Sequence, residues 1–271
     1  MIRAAHSLLF GVIYSIYLVV VMLPVQRFIL KPLCALNPMR RPAILRWWFR
    51  AQADWVLGMA RWLGGLRYDS ADPLPATPLI MVMNHQSMLD IPAAVALLRG
   101  PYPVIPIRER YTRWIPGISG LARWAEFPAL RQGERATRAE HAAMVAAAEA
   151  VERGERTMII YPEGHRSKDG EIQLFMTQGL KLVFRHAHTR PVYLVVVDGA
   201  WRMRSFADLA LRVSGQHMQV RVLGPYAVPP ERTEHEAFIA SLRTDMITAL
   251  ERLREAPPTA VPLARPATLV G

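Results

Sequence analysis

The chain has 271 residues, 52% of them hydrophobic, and carries 33 lysines and arginines against 22 aspartates and glutamates, for a formal net charge of +11. That length can bury the core of one or two domains, and the apolar share is high for a soluble enzyme but low for a multi-span membrane protein. The basic surplus favours an anionic partner (nucleic acid, an acidic membrane surface or a phosphorylated substrate), while the single cysteine, Cys34, excludes an intrachain disulfide and a cysteine-rich metal site and agrees with a reducing, cytosol-facing location.

Ser7 to Leu23 is uncharged and almost wholly apolar, at the short edge of what crosses a bilayer. Arg3 precedes it, as in a signal peptide, but Pro24-Val25-Gln26-Arg27 follows in place of a small-x-small cleavage site. The basic flank lies downstream, at Arg27, Lys31, Arg40, Arg41, Arg46 and Arg50, which places the C-terminal side in the cytosol. The run reads as a membrane helix, spanning or re-entrant, with a buried core helix as the alternative. Residues 42–66 are helical in pattern. Within them Trp48, Trp55 and Trp62 recur every seven residues, drift only about 20° per step and so share one stripe. Tryptophan beside arginine suits the bilayer interface; a packing face against the rest of the protein is the competing reading.

A Pro/Asp-rich stretch, Asp69 to Pro78, marks a domain boundary. After it, strands are expected at 79–84, 102–107, 157–162, 191–198 and 217–223, and helices at 88–98, 134–153, 173–187 and 234–254. The helix over 134–153 carries a capping-box pattern, Thr137-x-x-Glu140, and Gly154 as its stop. The alternation predicts an α/β fold with a central mixed β-sheet flanked by helices, preceded by an N-terminal membrane-associated helical pair. The organisation is then 1–66 for the membrane-associated helices, 67–255 for the α/β domain and 256–271 for a disordered Pro/Ala-rich tail.

Two strand-to-loop junctions carry candidate chemistry. Leu79 to Met83 runs into Asn84-His85-Gln86-Ser87-Met88-Leu89-Asp90. Five residues on a helix turn through about 500°, so His85 and Asp90 meet only if His85 lies in the turn before the helix and Asp90 at its start, where Asp90 suits an N-cap and Pro92 a first turn. So placed, Asp90 holds one ring nitrogen of His85 and leaves the other as a general base; a capped helix beside a solvated histidine is the plain alternative. The second junction, Thr157 to Pro162, runs into Glu163-Gly164-His165-Arg166-Ser167-Lys168-Asp169-Gly170, a glycine-bounded loop whose cations suit a phosphate. Between them Leu121 to Phe127 is a strand-like apolar run closing on Arg131.

Together these pieces resemble a family. Asn84 to Asp90 is similar to the NHxSxxD form of the HxxxxD motif of glycerolipid acyltransferases. Tyr161 to Ser167 resembles their third motif, usually FPEGTRS, and Phe127 to Arg131 the end of their second. The likeness spans roughly residues 79–198, and the family is that of the 1-acylglycerol-3-phosphate acyltransferases and their lysophospholipid relatives. Three departures stand out: His165 replaces the usual threonine, Pro128-Ala129-Leu130 precedes the arginine, and Pro191-Val192-Tyr193-Leu194-Val195 keeps only the first of two prolines in the fourth motif.

The resemblance implies transfer of a fatty acyl group from acyl-CoA or acyl-ACP, as co-substrate, to a lysolipid hydroxyl, with no bound cofactor and no metal. The commonest acceptor is 1-acyl-sn-glycerol-3-phosphate, giving phosphatidic acid; other lysolipids, such as lyso-ornithine lipid, and a non-catalytic lipid-binding module are the alternatives. His85 is then the base and Asp90 its orienting partner, while Arg131, Glu163, Gly164, Arg166 and Ser167 form the acceptor's phosphate site. The apolar side chains of 191–195 line the acyl site, and N–H groups at the start of the Asp90 helix face the oxyanion. The implied partners are the bilayer, the lysophospholipid and the acyl donor, with the catalytic domain on the cytoplasmic side of a bacterial inner membrane. Other classes fit less well. Gly117-Ile118-Ser119-Gly120 lacks the G-x-S-x-G spacing of a serine hydrolase, and His186-Ala187-His188 has the wrong spacing to share a metal on one helix face. No finger, homeodomain-like or RNA-binding aromatic motif accompanies the charge, so no nucleic-acid partner is expected.

Overall fold

The computed structural model describes residues 2–131 and 136–255. The chain opens with one continuous helix, α1, Ile2–Leu36, longer at both ends than the apolar run alone predicts. Its buried side forms one stripe: Ser7, Phe10, Tyr14, Leu18, Met22, Gln26, Leu30 and Cys34. From Leu18 onward the stripe repeats every four residues, about 400° of an α-helix, and would drift off its face within a few turns. The wider π-helical turns at Tyr17–Met22 and Val25–Leu30 absorb that drift and hold the stripe against the protein. Gly11 is needed in this stripe because a Cβ there would collide with Ala210. The opposite side, including Val12, Val19, Val20 and Phe28, is exposed.

After α1, helix α2 spans Arg41–Trp62 and starts with proline near its N-terminus. Strand β1 (Arg67–Asp69), not among the expected strands, is a short edge strand that ends at the first residue of the Pro/Asp-rich stretch. Strand β2 (Ile80–Met83) leads to α3 (Asp90–Leu97). The expected strand over 102–107 is split into β3 (Pro103–Val104) and β4 (Ile107–Arg108), since Pro106 between them offers no N–H for a ladder. Where Leu121 to Phe127 was expected to be strand-like, the chain instead forms α4 (Ile118–Trp124), and a two-residue β5 (Ala129–Leu130) pairs with β4. Helix α5 (Arg138–Glu152) carries the full Thr137–Glu140 capping box, with Gly154 two residues past its end. Residues 134 and 135 of that expected helix lie outside the described residues, as does the tail over 256–271. The rest comprises β6 (Thr157–Ile160), α6 (Thr177–His186), β7 (Val192–Asp198), α7 (Phe206–Arg212), β8 (His217–Tyr226) and α8 (His235–Glu255). Helix α7 is an addition to the expected elements.

The main sheet has the order β1-β8-β7-β2-β6-β3 and is mixed, as expected: only β7 and β8 run antiparallel. Strand β2 lies between β6 and β7, parallel to both. Its residues are all buried, as are those of β6, which is why both read as unbroken apolar runs. Alternation sends Met81 and Met83 into a core shared with α1–α4, and Ile80 and Val82 into a core shared with α5, α6 and α8. The two N-terminal helices thus share one apolar core with the sheet. Because β2 and β6 are parallel neighbours in register, Val82 opposite Ile160, the loops that follow them emerge side by side at the same edge.

Candidate active site

The loop after β2 is fixed before any substrate is considered. Asn84 is buried and clamps β7 with both ends of its amide: it donates to Val197 O at 2.9 Å and accepts from Val197 N at 2.8 Å. Gln86 does the same one turn on, donating to Gly170 O at 2.9 Å and Asp198 Oδ1 at 3.2 Å and accepting from Ala200 N at 3.1 Å. His85 lies between these clamps, so its side chain is directed the other way, where it lines a cavity of about 790 Å³. Its ring rests on Tyr161, with centroids 4.3 Å apart.

His85 Nδ1 is 2.8 Å from Asp90 Oδ2, and Asp90 is fully buried. The same carboxylate oxygen accepts the Gln86 amide at 2.6 Å and the Ser87 amide at 2.7 Å, while Oδ1 takes the Ser87 hydroxyl at 3.1 Å. Asp90 is therefore the first residue of α3 and not its N-cap, which is Leu89; its carboxylate turns back onto the loop instead of capping the helix. Three donors on one carboxylate oxygen offset its burial. They also hold the imidazole in the tautomer with the proton on Nδ1, leaving Nε2 as an acceptor. The amides nearest His85, those of Gln86 and Ser87, are occupied by Asp90 and are not available to an oxyanion.

The loop after β6 is stapled to His85 through the backbone. Glu163 Oε1 accepts the His85 amide at 2.8 Å, Oε2 accepts the Gln173 amide at 2.9 Å, and the Ser167 amide donates to His85 O at 2.7 Å. Glu163 is 2% exposed, and burial pushes its carboxyl up to about 7, with the Asp90 charge adding to the rise against the pull of the two amides and Arg243. Ser167 is fully buried and bonds Asp169 and the Gly170 amide. Neither Glu163 nor Ser167, both expected at a substrate phosphate, lines the cavity; each holds the two loops together. Arg131 is not in the cavity wall either: its amide donates to Glu140 Oε1 at 2.6 Å, and its guanidinium lies 3.6 Å from the same carboxylate.

Gly164 and Arg166 do line the cavity. Gly164 has φ +67, a conformation that favours glycine; the Met176 sulfur that a Cβ there would meet ends an exposed, flexible side chain. Arg166 Nη2 donates to Tyr111 Oη at 2.6 Å, and Nη1 touches Met88 Sδ. Beside them the sequence analysis missed Arg108 and Arg110. Arg108 Nη2 donates to Gly164 O at 2.8 Å. Burial would raise the Tyr111 phenol, but Arg166, Arg110 and Arg108 bring it below its ordinary value, a measure of the positive potential here. The signal was present: Arg108-Glu109-Arg110-Tyr111 follows directly on an apolar run, as Glu163 to Lys168 does. Lys168 and Arg204 complete the cationic side, and Asp208 is the one carboxylate on the cavity wall among the described residues.

The rest of the cavity wall is largely apolar. Tyr14 and Met22 of α1, Phe49 and Val56 of α2, Val95 of α3 and Leu121 of α4 belong to it. The apolar residues of 191–195 were expected there; instead they point into the two cores on either side of β7, and none lines the cavity. Nor does the tryptophan stripe hold together. Trp48 is 5% exposed and donates to Gln26, whereas Trp55 is 54% and Trp62 86% exposed. The small drift per heptad is enough to carry the stripe from the core out to the surface, where Trp47 and Trp114 are exposed as well. His186 and His188 face separate glutamates, Glu149 at 3.6 Å and Glu152 at 4.0 Å.

A histidine–carboxylate pair opening onto a cavity lined by both cations and apolar side chains suits proton removal from a hydroxyl next to an anion and a hydrocarbon chain. No curated protein matches the chain in sequence. Among solved structures, the 1-acyl-sn-glycerophosphate (LPA) acyltransferase PlsC from Thermotoga maritima has the same fold, with a TM-score of 0.70 at 20% identity, covering 95% of this chain and 99% of that one. The family model for acyltransferases matches residues 65–198, the stretch that carries both loops.

Proposed function

We propose that the protein transfers a fatty acyl group from an acyl-CoA or acyl-ACP thioester to the free hydroxyl of a lysolipid, with 1-acyl-sn-glycerol-3-phosphate as acceptor and phosphatidic acid as product. The observation that carries this reading is the cavity itself: His85 lines one space together with Arg108, Arg110, Arg166 and Lys168 and with the apolar side chains of α1–α4. In this reading the arginines take the acceptor's phosphate through charge-assisted hydrogen bonds, and the apolar side chains take the acyl chain.

The acceptor hydroxyl gives its proton to His85 Nε2 as its oxygen attacks the thioester carbon. The imidazolium so formed is stabilised by Asp90 across the 2.8 Å contact, and the proton then leaves with the thiol. A positioned base of this kind is worth about 10²–10⁴ in rate. His85 stays in place during the step because its backbone is bonded on both sides to the 163–167 loop.

The substrate's source is a bilayer. The outward face of α1 presents Val12, Val19, Val20 and Phe28, with Trp55 and Trp62 exposed on α2, and Arg27, Lys31, Arg40 and Arg46 are exposed close by. Because α1 is docked along its length, it lies against the protein and enters one leaflet side-on, with the catalytic domain on the cytoplasmic face. Each cation near an anionic surface adds about 1 kcal/mol. The test is a panel of lysolipid acceptors with one labelled acyl-CoA, scored by product mass. Lysophosphatidate-dependent product that disappears in His85→Ala, with vesicle binding unchanged, is the expected result. No acceptor-dependent product with any lysolipid, or near-normal turnover by His85→Ala, overturns it.

A further inference from the structure

Two glutamines are buried among the N-terminal helices, and they are treated differently. Gln26 on α1 lies outside the cavity, and with its amide turned so that the oxygen faces Trp48 both ends are bonded, to Gly117 O at 3.0 Å and Trp48 Nε1 at 3.1 Å. Gln52 on α2 is 8% exposed and lines the cavity, as do Phe49, Ala53 and Val56 of the same helix. One end of its amide accepts the Tyr17 hydroxyl at 2.7 Å, and among the described residues nothing bonds the other end. A half-paired amide among the apolar side chains of the cavity wall faces whatever fills the space beside it.

We infer that Gln52 makes the cavity a recognition site for a hydroxylated fatty acyl chain, an inference that rests on the acyl transfer proposed above. The chain that starts at the thioester beside His85 runs along the wall that Gln52 belongs to. A plain methylene chain displaces any water from the amide and offers no bond in return, leaving a buried polar group unpaired. A hydroxyl at the right carbon restores the bond. It serves whichever way the amide is turned, because a hydroxyl both donates and accepts. Apolar pockets discriminate weakly between chains, whereas a pocket that hydrogen-bonds a substrate hydroxyl rejects the chain lacking it much more strongly. Tyr17 keeps the amide from swinging away, and its own ring leans on Trp55 at 5.9 Å.

The test is displacement of a fluorescent fatty acid from the full-length protein by palmitate and by its monohydroxylated positional isomers. The wild-type protein is expected to bind one isomer, or two adjacent ones, about tenfold or more tighter than palmitate. Gln52→Met, close in volume and without the amide, is expected to bind all isomers and palmitate alike. Equal binding of every isomer by the wild type overturns the inference without recourse to any variant. Survival of the preference in Gln52→Met overturns it too, and assigns the amide to water and to Tyr17 alone. Because binding is read without turnover, these failures are distinct from failure of the proposed function, which shows as no acyl transfer from any thioester.

Discussion

Replacing Asp90 by asparagine removes one charge from the site and almost nothing of its shape. Asp90 Oδ2 receives His85 Nδ1 at 2.8 Å, Gln86 N at 2.6 Å and Ser87 N at 2.7 Å. Three donors select an oxygen at that place, so the asparagine amide settles with its oxygen toward them and its nitrogen toward the Ser87 hydroxyl, which can accept. Folding then loses only the charge assistance of those bonds, roughly 2–4 kcal/mol together. The transition state loses a specific term. In the proposed reaction, once His85 has taken the acceptor's proton its imidazolium faces the carboxylate, and unit charges about 4 Å apart attract by about 4 kcal/mol at an effective dielectric constant near 20. Asparagine supplies none of this, so turnover is expected to fall about a thousandfold. The assay is thiol release from acyl-CoA at saturating lysophosphatidate, run beside thermal melting of both proteins. Since His85 and Asp90 act as a unit, Asp90→Asn added to His85→Ala costs little more. A folded Asp90→Asn protein with more than a tenth of normal turnover refutes the role given to the carboxylate.

Arg108→Ala and Arg166→Ala each remove a charged donor from the cavity wall and are expected to raise KM for lysophosphatidate about 10–100-fold, while changing KM for a neutral monoacylglycerol far less; equal changes for both acceptors would refute the phosphate assignment. Glu163, pushed from 4.5 up to about 7, binds its proton more tightly folded than unfolded, so its contribution to stability is complete below about pH 4.5 and is lost as pH rises through 7. Denaturant unfolding at pH 5 and pH 8 should show wild type losing up to about 3 kcal/mol relative to Glu163→Gln across that interval, and a pH-independent difference would show that the carboxyl is not raised. Val19→Glu with Phe28→Glu charges the outward face of α1 without touching its buried stripe, and is expected to weaken vesicle binding about tenfold or more at unchanged melting temperature; undiminished cosedimentation with anionic vesicles would remove α1 from the membrane contact.

The parts of the fold legible in the sequence are those written locally. Strands β2 and β6 are unbroken apolar runs, and helix α5 announces itself with Thr137 and Glu140. Short elements carry no such record. Strand β1 is three residues that exist because β8 offers them a parallel partner, and β3 and β4 are what remains of one apolar run once Pro106 interrupts it. Helix α7 did leave a sign, the Ser205–Asp208 capping box, which is as complete as that of α5. The same division applies to the site. His85 and Asp90 are five residues apart, so local geometry brings them together. What Glu163, Ser167 and Arg131 face is decided by partners elsewhere in the chain, and a motif names the residue without saying which way it points. Trp48 shows how fine the margin is, since a drift too small to notice on paper separates a core residue from a surface one.

The frame around His85 has a consequence for how the protein is made. Asn84 is bonded to a residue 113 positions further along, and the His85 amide to one 78 positions further along. Contacts of such sequence separation form late, because the entropy of closing long loops must be overcome before they return anything. A nascent chain that has exposed the whole HxxxxD segment therefore still lacks a fixed histidine, and gains one only when β7 has emerged and docked beside β2. Activity regained during refolding is for the same reason a late event, arriving with the assembled sheet and not with its first helices.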